Sequence, residues 1–479
     1  MPLQTANIIG SGPNGLAAAI TLAQRGVAVT VYERNAQFGG ACSTADVTLP
    51  GFHHDLGSSV YPFGVCSPFF KSLPLEAHGL RWIEPPAALA HPLDNGTAFL
   101  LEHSLKDTAA QFTPHDARNW KSLLAPTIRD WPKIVDAVMN PLLSIPRNPA
   151  AMASFGLAAV LPARTLARTA FREEPARALF AGCAAHSVLP LSRVASSATG
   201  LIFAAAGHTT GWPIVAGGAQ TLANALARYF ESLGGRIQLN SEITDLAELP
   251  AADATFFDTS IDSLTRIAGP TLAPSFVSSL RGFKPGPGIF KIDWALSDPI
   301  PWRADVCSCA ATVHLGGSLD EIARSEHDAF HGRANDKPFV LLVQPSLFDT
   351  TRAPLAASGH AQHTAWAYCH VPAGSTADLT EIVEAQVARF APGFRDTILA
   401  RRASNSTALA AWDPNLAGGD ISGGAMTLSQ LAFRPTARGY RTSNPQLFLC
   451  SSSTPPGGGV HGLCGYFAAR TAMRQMRRL

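Results

Sequence analysis

Three glycines and one acid near the start of the chain have the types and spacing to bind a dinucleotide. They are Gly10, Gly12, Gly15 and Glu33. Gly10 permits a sharp turn, Gly12 removes the side chain where a diphosphate approaches the backbone, and Gly15 lets a helix pack closely on a strand. Glu33 can accept hydrogen bonds from a ribose, and its charge opposes the 2′-phosphate of NADP.

The residues around these positions form the elements that must hold them. Residues 7–9 begin a strand, 16–25 form an Ala/Leu-rich helix, Gly26 ends the helix, and 27–33 form a β-branched strand. The N-terminus of the helix directs free N–H groups and a positive dipole end at the diphosphate. The pattern therefore predicts a Rossmann-like βαβ unit, with a tight turn that binds no ligand as the alternative.

Length and composition set the broad class. The chain has 479 residues, enough for two or three domains, and its net charge of +2 gives no indication of a nucleic-acid partner. The first strand begins so early that we expect no cleaved signal peptide, and no apolar run is long enough for a spanning helix. The eight cysteines are scattered, which favours reduced thiols and a cytoplasmic location.

Three later segments extend the first motif. They are the Gly39-Gly40 pair, Asp55-Leu56-Gly57, and a glycine loop before a C-terminal helix at 450–470. Together these segments resemble the glutathione-reductase-like flavoproteins. They most resemble the phytoene desaturase-like branch, which includes carotenoid desaturases, retinol saturase-like proteins and pyridine nucleotide-disulfide oxidoreductase domain 2-like proteins. The resemblance covers essentially the whole chain. It departs at Ala41, where many relatives have Arg, and at Ser451, where they often have Gly.

The resemblance implies an α/β fold. This is a Rossmann-like FAD-binding domain of the glutathione reductase/amine oxidase type, with an inserted mixed-sheet plus helical substrate domain. The FAD-binding domain would comprise residues 1–65, 211–262 and 440–479; the substrate-binding domain, with its helical subdomain, would comprise 66–210 and 263–439. Within these, residues 242–246 are predicted as a strand, and 339–344 and 363–371 as two antiparallel strands.

The cofactor implied by the resemblance is FAD. Ile243 would present backbone groups to adenine, Thr259 would lie near the adenosine, and the loop before the last helix would face the N1/O2 edge of the ring. The full set of predicted cofactor-binding residues is Gly10, Gly12, Pro13, Asn14, Gly15, Glu33, Arg34, Gly39, Gly40, Ala41, Gly57, Ser58, Ile243, Thr259, Ser452, Gly459, Val460 and His461.

One catalytic residue, Lys291, is implied by the resemblance. Residues 289–296 alternate as a strand, with Lys291 and Asp293 on one face. In related amine oxidases a lysine on the matching strand points at flavin N5 through a water, where it would stabilise reduced flavin or help to accept a proton. The alternative is a lysine on a solvated strand edge.

No metal site is predicted. His53 and His54 are neighbours in a strand and point to opposite faces, so they do not easily share one ion. His327 and His331 lie four residues apart on a predicted helix whose surrounding charges favour a solvated face.

The resemblance implies an FAD-dependent oxidoreductase of the phytoene desaturase/retinol saturase type. Hydride would pass between flavin N5 and an apolar, unsaturated lipid or isoprenoid substrate, in a desaturase, saturase or isomerase reaction with the electron acceptor left open. Residues 150–163 are nearly free of charge, as expected for core helices or for an apolar tunnel with peripheral membrane contact. The alternatives are a flavin amine oxidase, which would need aromatic residues at the ring where only Tyr466 and Phe467 are apparent, and a non-catalytic lipid-binding escort.

Overall fold

The structure is a computed structural model that describes residues 3–142 and 144–476. In chain order its strands are β1 (Thr5–Ile9), β2 (Ala28–Tyr32), β3 (Thr44–Asp46), β4 (His53–Asp55), β5 (Trp82–Ile83), β6 (Ala87–Pro92), β7 (Ala98–Glu102), β8 (Ile214–Val215), β9 (Arg236–Gln238), β10 (Ala254–Phe257), β11 (Gly288–Leu296), β12 (Ala310–Leu315), β13 (Val340–Val343), β14 (His363–Val371), β15 (Ile398–Ser404) and β16 (Leu447–Leu449).

The α-helices divide into those near the termini and those inserted between the sheets. In chain order they are α1 (Pro13–Ala23), α2 (Pro62–Cys66), α3 (Pro68–Lys71), α4 (Leu105–Ala110), α5 (Pro114–Arg129), α6 (Trp131–Val138), α7 (Pro149–Ala159), α8 (Ala163–Ala170), α9 (Glu174–Ala185), α10 (Ser196–Gly207), α11 (Ala219–Ser232), α12 (Ile261–Ala268), α13 (Pro274–Leu280), α14 (Leu319–Phe330), α15 (Thr380–Phe390), α16 (Ser406–Trp412), α17 (Leu428–Ala432) and α18 (Leu463–Met476).

A parallel sheet with the order β16-β10-β1-β2-β9 carries the N-terminal motif. Because all its strands run in one direction, the loops after β1, β2, β10 and β16 emerge at the same edge, where open α/β sheets bind ligands. The helix α1 follows β1 directly, and the apolar residues of both are buried. The βαβ unit predicted from the glycine spacing is therefore present.

A second sheet has seven strands in the order β15-β11-β14-β13-β12-β6-β7. Its strands pair antiparallel except β12 with β6. Alternate residues of β11, such as Phe290, Ile292 and Trp294, are buried in a core that also contains Val383 and Phe390 of α15. The opposite face carries the other half of each strand. The predicted antiparallel pairing of 339–344 with 363–371 occurs as β13 with β14.

The helices α4 to α10 pack in one core with α1 and α18. No single helix among the described residues is long and apolar enough to cross a membrane. The pair α7 and α8 passes that test only together, and the two helices are bent by 85°.

One predicted strand is wrong. Residues 242–246 do not pair with a sheet, and a 3-10 helix follows at Leu246–Glu248. The reason is a capping box: Asp245 accepts a hydrogen bond from the Ala247 N–H at 2.8 Å, and Glu248 accepts one from the Asp245 N–H at 3.1 Å. These bonds close a helical turn where a strand would leave the N–H groups for a neighbour.

A buried ion pair joins the two parts of the molecule. Asp55, at the end of β4, pairs with Arg352, which lies 297 residues later, and each side chain is only 1% exposed. Asp55 also accepts a hydrogen bond from the Ala219 N–H at 2.8 Å, so it holds the start of α11 as well. Burial alone would raise the pKa of Asp55, but the Arg352 guanidinium and these hydrogen bonds hold that pKa below its usual value.

We expect Arg352→Ala to lower the free energy of unfolding by about 3–5 kcal/mol, because it leaves a buried carboxylate without its partner. The matched control is Arg147→Ala, whose side chain is 81% exposed beside Asp136 and whose loss should cost less than ~1 kcal/mol. Urea unfolding followed by circular dichroism measures both. Equal destabilisation by the two variants would show that the buried pair is not a structural bridge.

Candidate cofactor and substrate site

One cavity of about 940 Å³ runs from the carboxyl edge of the parallel sheet to the inserted helices. Every residue predicted to bind the cofactor lines it except Gly15 and Gly39. Gly15 and Gly39 lie behind the lining residues and donate hydrogen bonds to them. The Gly15 N–H donates to Asp258 Oδ2 at 2.7 Å, and the Gly39 N–H donates to Ser11 Oγ at 3.3 Å.

Glu33 is fixed at one end of the cavity by its own neighbours. Its carboxylate accepts hydrogen bonds from the Ser11 N–H at 3.1 Å, the Ser11 hydroxyl at 2.5 Å and the Asn35 N–H at 3.0 Å. The side chain is almost fully buried yet lines the cavity. A carboxylate held in this way can accept hydrogen bonds from ribose hydroxyl groups. Ser11 was missed by the sequence analysis because it occupies the variable position of the glycine motif.

The glycines form a cradle of bare backbone beside Glu33. A Cβ on Gly40 would lie 3.3 Å from Gly12 Cα, so the two chain segments are close neighbours. Gly12 caps α1 without a side-chain hydrogen bond. Pro13 has no N–H and the Gly15 N–H donates to Asp258, so the Asn14 N–H is the group of the first turn that is left for a diphosphate. The Asn14 side chain lines the same space, and its amide N–H groups can donate hydrogen bonds to a diphosphate oxygen. The residues present therefore fit the diphosphate of FAD.

Asp258, at the same end of the cavity, is a second residue that was not predicted from the sequence. It follows β10, and its Oδ2 would lie 2.7 Å from a Cβ on Gly12. Burial raises the pKa of this carboxyl to about 7; the Gly15 N–H opposes the rise, and Asp413 and Glu33 add to it. At neutral pH a substantial share of Asp258 is therefore protonated, and a protonated carboxyl can donate a hydrogen bond to a phosphate oxygen.

The end of α16 and the loop that follows it line the cavity near Glu33 and Asp258. Trp412, Asp413 and Asn415 line the wall. The Asn415 amide donates to the Asp258 carbonyl oxygen at 2.9 Å, and Arg34 donates to the Trp412 carbonyl oxygen at 2.7 Å. Arg34 thus holds the loop as well as lining the cavity. The sequence did not predict the position of this loop, because the hydrogen bonds to Arg34 and Asp258 that hold it there join parts of the chain that are far apart in sequence.

The loop before α18 forms part of the cavity wall. Gly459, Val460 and His461 line it, and Gly459 has a φ of 117°, which a residue with a side chain rarely adopts. His461 Nδ1 accepts a hydrogen bond from the Leu463 N–H at 3.0 Å, at the start of the helix. Burial lowers the pKa of His461 to about 4, so the ring is neutral at physiological pH.

The far end of the cavity is mostly apolar. Met152, Phe155 and Ala159 of α7 and Ile202 and Phe203 of α10 line it, facing the second sheet. Most of α7 lies in the nearly charge-free segment 150–163, for which the sequence left core helices or an apolar tunnel as alternatives.

The floor of this end is the second sheet. Trp366, Tyr368 and His370 are alternate residues of β14 and therefore share one face. The rings of Trp366 and Tyr368 stack with centroids 5.8 Å apart. Tyr466 and Phe467 were the two aromatic residues expected near the ring, and neither lines the cavity. Tyr466 packs on Phe69 instead.

The structure does not place Lys291 in the cavity wall. Its ammonium group forms a buried ion pair with Asp293 and lies 4.7 Å from the centre of the Trp366 ring. The prediction that these two residues share a face was correct. That shared face is the reason the lysine is engaged by its neighbour rather than directed at a ligand.

The described residues contain no group of three or more His, Cys, Asp or Glu side chains placed to hold a metal. His53 bonds to Asp46 at the surface, while His54 is buried with Thr48. The two rings therefore face apart, as the strand geometry predicts.

A parallel sheet, a glycine cradle with a ribose acceptor, and a last helix that returns to the cavity define a dinucleotide-binding fold of the flavoprotein type. The model for the NAD(P)-binding Rossmann-like domain matches residues 8–71. The whole chain is similar to pyridine nucleotide-disulfide oxidoreductase domain-containing protein 2 of Mus musculus, with 26% identity and 94% of that protein covered. The resemblance drawn from the motifs is therefore confirmed.

Solved structures show the same fold. An oxidoreductase from Methanosarcina mazei is 14% identical, with a TM-score of 0.66 over 98% of this chain and 100% of that one. Putrescine oxidase, solved with putrescine bound, is 16% identical, with a TM-score of 0.62 over 100% of both chains. The predicted α/β fold class is confirmed, and FAD is the cofactor that this fold supports.

We expect FAD to bind more tightly at about pH 6 than at about pH 8, because the charged Asp258 repels the diphosphate. The pKa of this acid is higher in the folded protein than in the unfolded chain, so it also makes the apoprotein less stable as pH rises from about 4 to about 7. Asp258→Asn should remove both effects and retain FAD at the higher pH. Fluorescence titration of apoprotein with FAD measures the affinity.

The matched control is Asp262→Asn, an exposed acid on α12, which should behave like the unchanged protein at both pH values. A wild-type affinity that does not change over this range, or an Asn variant that loses FAD at both pH values, would contradict this role of Asp258.

Proposed function

We propose that the protein is an FAD-dependent oxidoreductase that transfers hydride between flavin N5 and an apolar, unsaturated lipid or isoprenoid-type substrate. The observation that carries the proposal is the continuity of the cavity. A single space joins the glycine cradle and Glu33 to a chamber walled by apolar helices. A flavin bound there would supply hydride chemistry, while the chain supplies binding, orientation and exclusion of water.

The distribution of charge along the cavity supports an uncharged substrate. The carboxylates among its described lining residues are Glu33, Glu242, Asp258 and Asp413, all on the Rossmann sheet loops or on the loop after α16. The chamber between α7, α10 and the second sheet has none. A cationic amine would therefore lose its hydration there without gaining a carboxylate partner, which is unfavourable.

Exposed apolar side chains on the cavity wall support an apolar substrate as well. Four such residues line the cavity and are each at least 50% exposed: Leu142, Val160, Val194 and Leu428. Exposed apolar side chains beside a cavity fit contact with a lipid surface or carrier. Peripheral membrane contact is part of the proposal for this reason.

One observation favours amine oxidation as a second candidate. Trp366 and Tyr368 present two aromatic rings on the cavity floor, and aromatic faces attract cations. Solved structures of the same fold include putrescine oxidase and cyclohexylamine oxidase. The lack of a carboxylate in the chamber makes this candidate the weaker of the two.

The test follows the flavin absorbance near its visible maximum under anaerobic conditions. We expect the purified protein to be yellow. We also expect either that phytoene bleaches the oxidised flavin or that all-trans-retinol restores the colour of the chemically reduced flavin. Putrescine and cyclohexylamine should do neither. Bleaching by an amine alone would establish the second candidate. A colourless protein that takes up no FAD would refute both.

A pair of variants locates the substrate. Gly156 of α7 lines the cavity, and an added Cβ there meets no atom within 4 Å. Gly156→Asp should raise KM for the reacting probe by about tenfold or more, since an unpaired charge in an apolar site costs over ~1.4 kcal/mol. Leu157→Asp, at an exposed neighbour outside the cavity wall, is the control and should leave KM unchanged. An unchanged KM for both would place the substrate elsewhere.

A further inference from the structure

A histidine and a glutamate form an isolated pair under the chamber. His370 Nδ1 lies 2.8 and 2.9 Å from the two carboxylate oxygens of Glu326, on α14, and each side chain is only 1% exposed. His370 belongs to β14 and lines the cavity, whereas Glu326 lies behind it. The carboxylate makes no other ion pair within the described residues.

The second nitrogen of this ring has no partner. His370 Nε2 is buried and makes no hydrogen bond to any described residue. Thr312 Oγ1 and Trp366 Nε1, also on cavity-lining residues of the sheet floor, are unpartnered too. Leaving a buried polar atom unpaired costs about 1–3 kcal/mol, so three such atoms on one floor indicate a place where a ligand supplies the missing contacts.

The Glu326 contact determines what the free nitrogen can do. A carboxylate that accepts the Nδ1–H fixes the tautomer in which Nε2 carries a lone pair, and it stabilises the imidazolium that forms when Nε2 takes a proton. A pair that served only to hold α14 against the sheet would not require a bare Nε2 beside a cavity.

The other titratable side chains at this end are less suited to proton transfer. His186 lines the cavity, but its Nε2 is 3.1 Å from His314 Nε2, and burial, aided by His370, lowers its pKa to about 3. Burial, aided by Glu326, raises the pKa of Tyr368, which lies beside His370 with ring centroids 5.8 Å apart. The Lys291 ammonium is held by Asp293 outside the wall.

We propose that His370 is the proton-transferring catalytic residue of this site and that Glu326 is its positioning residue. The inference rests on the proposed function. In the oxidative direction one substrate carbon gives a hydride, with both electrons of its C–H bond, to the flavin. The adjacent carbon gives its proton to His370 Nε2, and the electron pair left behind forms the C=C bond. The substrate loses two electrons, and the flavin gains them with one hydrogen. Saturation is the reverse, with His370 as the acid.

The first test is independent of turnover. Long-range ¹H–¹⁵N spectra of histidine-labelled protein, with FAD and without it, should show that the neutral His370 ring carries its proton at Nδ1 and is bare at Nε2, and Glu326→Gln should abolish that preference. A neutral His370 ring that carries its proton at Nε2 in the unchanged protein would overturn the proposal.

The second test is the pH profile of flavin reduction by phytoene, or of reduced-flavin reoxidation by retinol, in a stopped-flow spectrometer. His370→Asn should slow the step by about 100-fold or more and remove one ionisation from the profile, with FAD content unchanged. Glu326→Gln should shift that ionisation and slow the step less. A variant that keeps the wild-type rate and profile would overturn the assignment.

The control variant is His91→Asn. His91 is also buried, with Nε2 bonded to the Gly317 carbonyl oxygen and Nδ1 unpartnered, but it does not line the cavity. Its rate and profile should match those of the unchanged protein, and an equal loss in this variant would overturn the specific role of His370. If neither probe reacts with the unchanged protein, the proposed function fails. The tautomer measurement still tests whether Glu326 positions the His370 ring.

Discussion

The whole site depends on backbone packed too closely for any side chain to intervene. A Cβ on Gly15 would lie 2.2 Å from the Gly10 carbonyl oxygen, and one on Gly465 would lie 1.8 Å from the Asn14 carbonyl oxygen. The first contact sets α1 against β1, and the second brings α18 against α1. Because two helix starts and the ends of the parallel strands converge there, free N–H groups and the fixed carboxylate of Glu33 meet at one edge of the sheet.

The second sheet lies between a hydrophobic core and the chamber, and successive residues of its strands point alternately to one and to the other. One face of β11 and β14 is packed against α15, while the other carries the floor of the cavity and the buried charges. Asp55 with Arg352 and Lys291 with Asp293 place these charges in pairs, which burial requires. Glu326 with His370 differs from them, since one nitrogen remains free beside a cavity.

The sequence predicted those features whose cause is local. The spacing of Gly10, Gly12, Gly15 and Glu33 determines a turn and a helix start within one stretch of chain, and the structure places these residues as expected. Features made by distant partners could not be predicted. Arg352 reaches Asp55 across 297 residues, and the role of Asp258 depends on Glu33 and Asp413. Lys291 was placed on the correct face, but its ion pair was not foreseen.

The measurement that tests the account most directly is a crystal structure of the protein grown with FAD. The account predicts the adenosine ribose on the Glu33 carboxylate, the diphosphate at the first turn of α1, and the ring between the loop at Gly459–His461 and the floor formed by Trp366, Tyr368 and His370. A flavin ring turned away from that floor, or a cofactor bound outside the cavity, would contradict it.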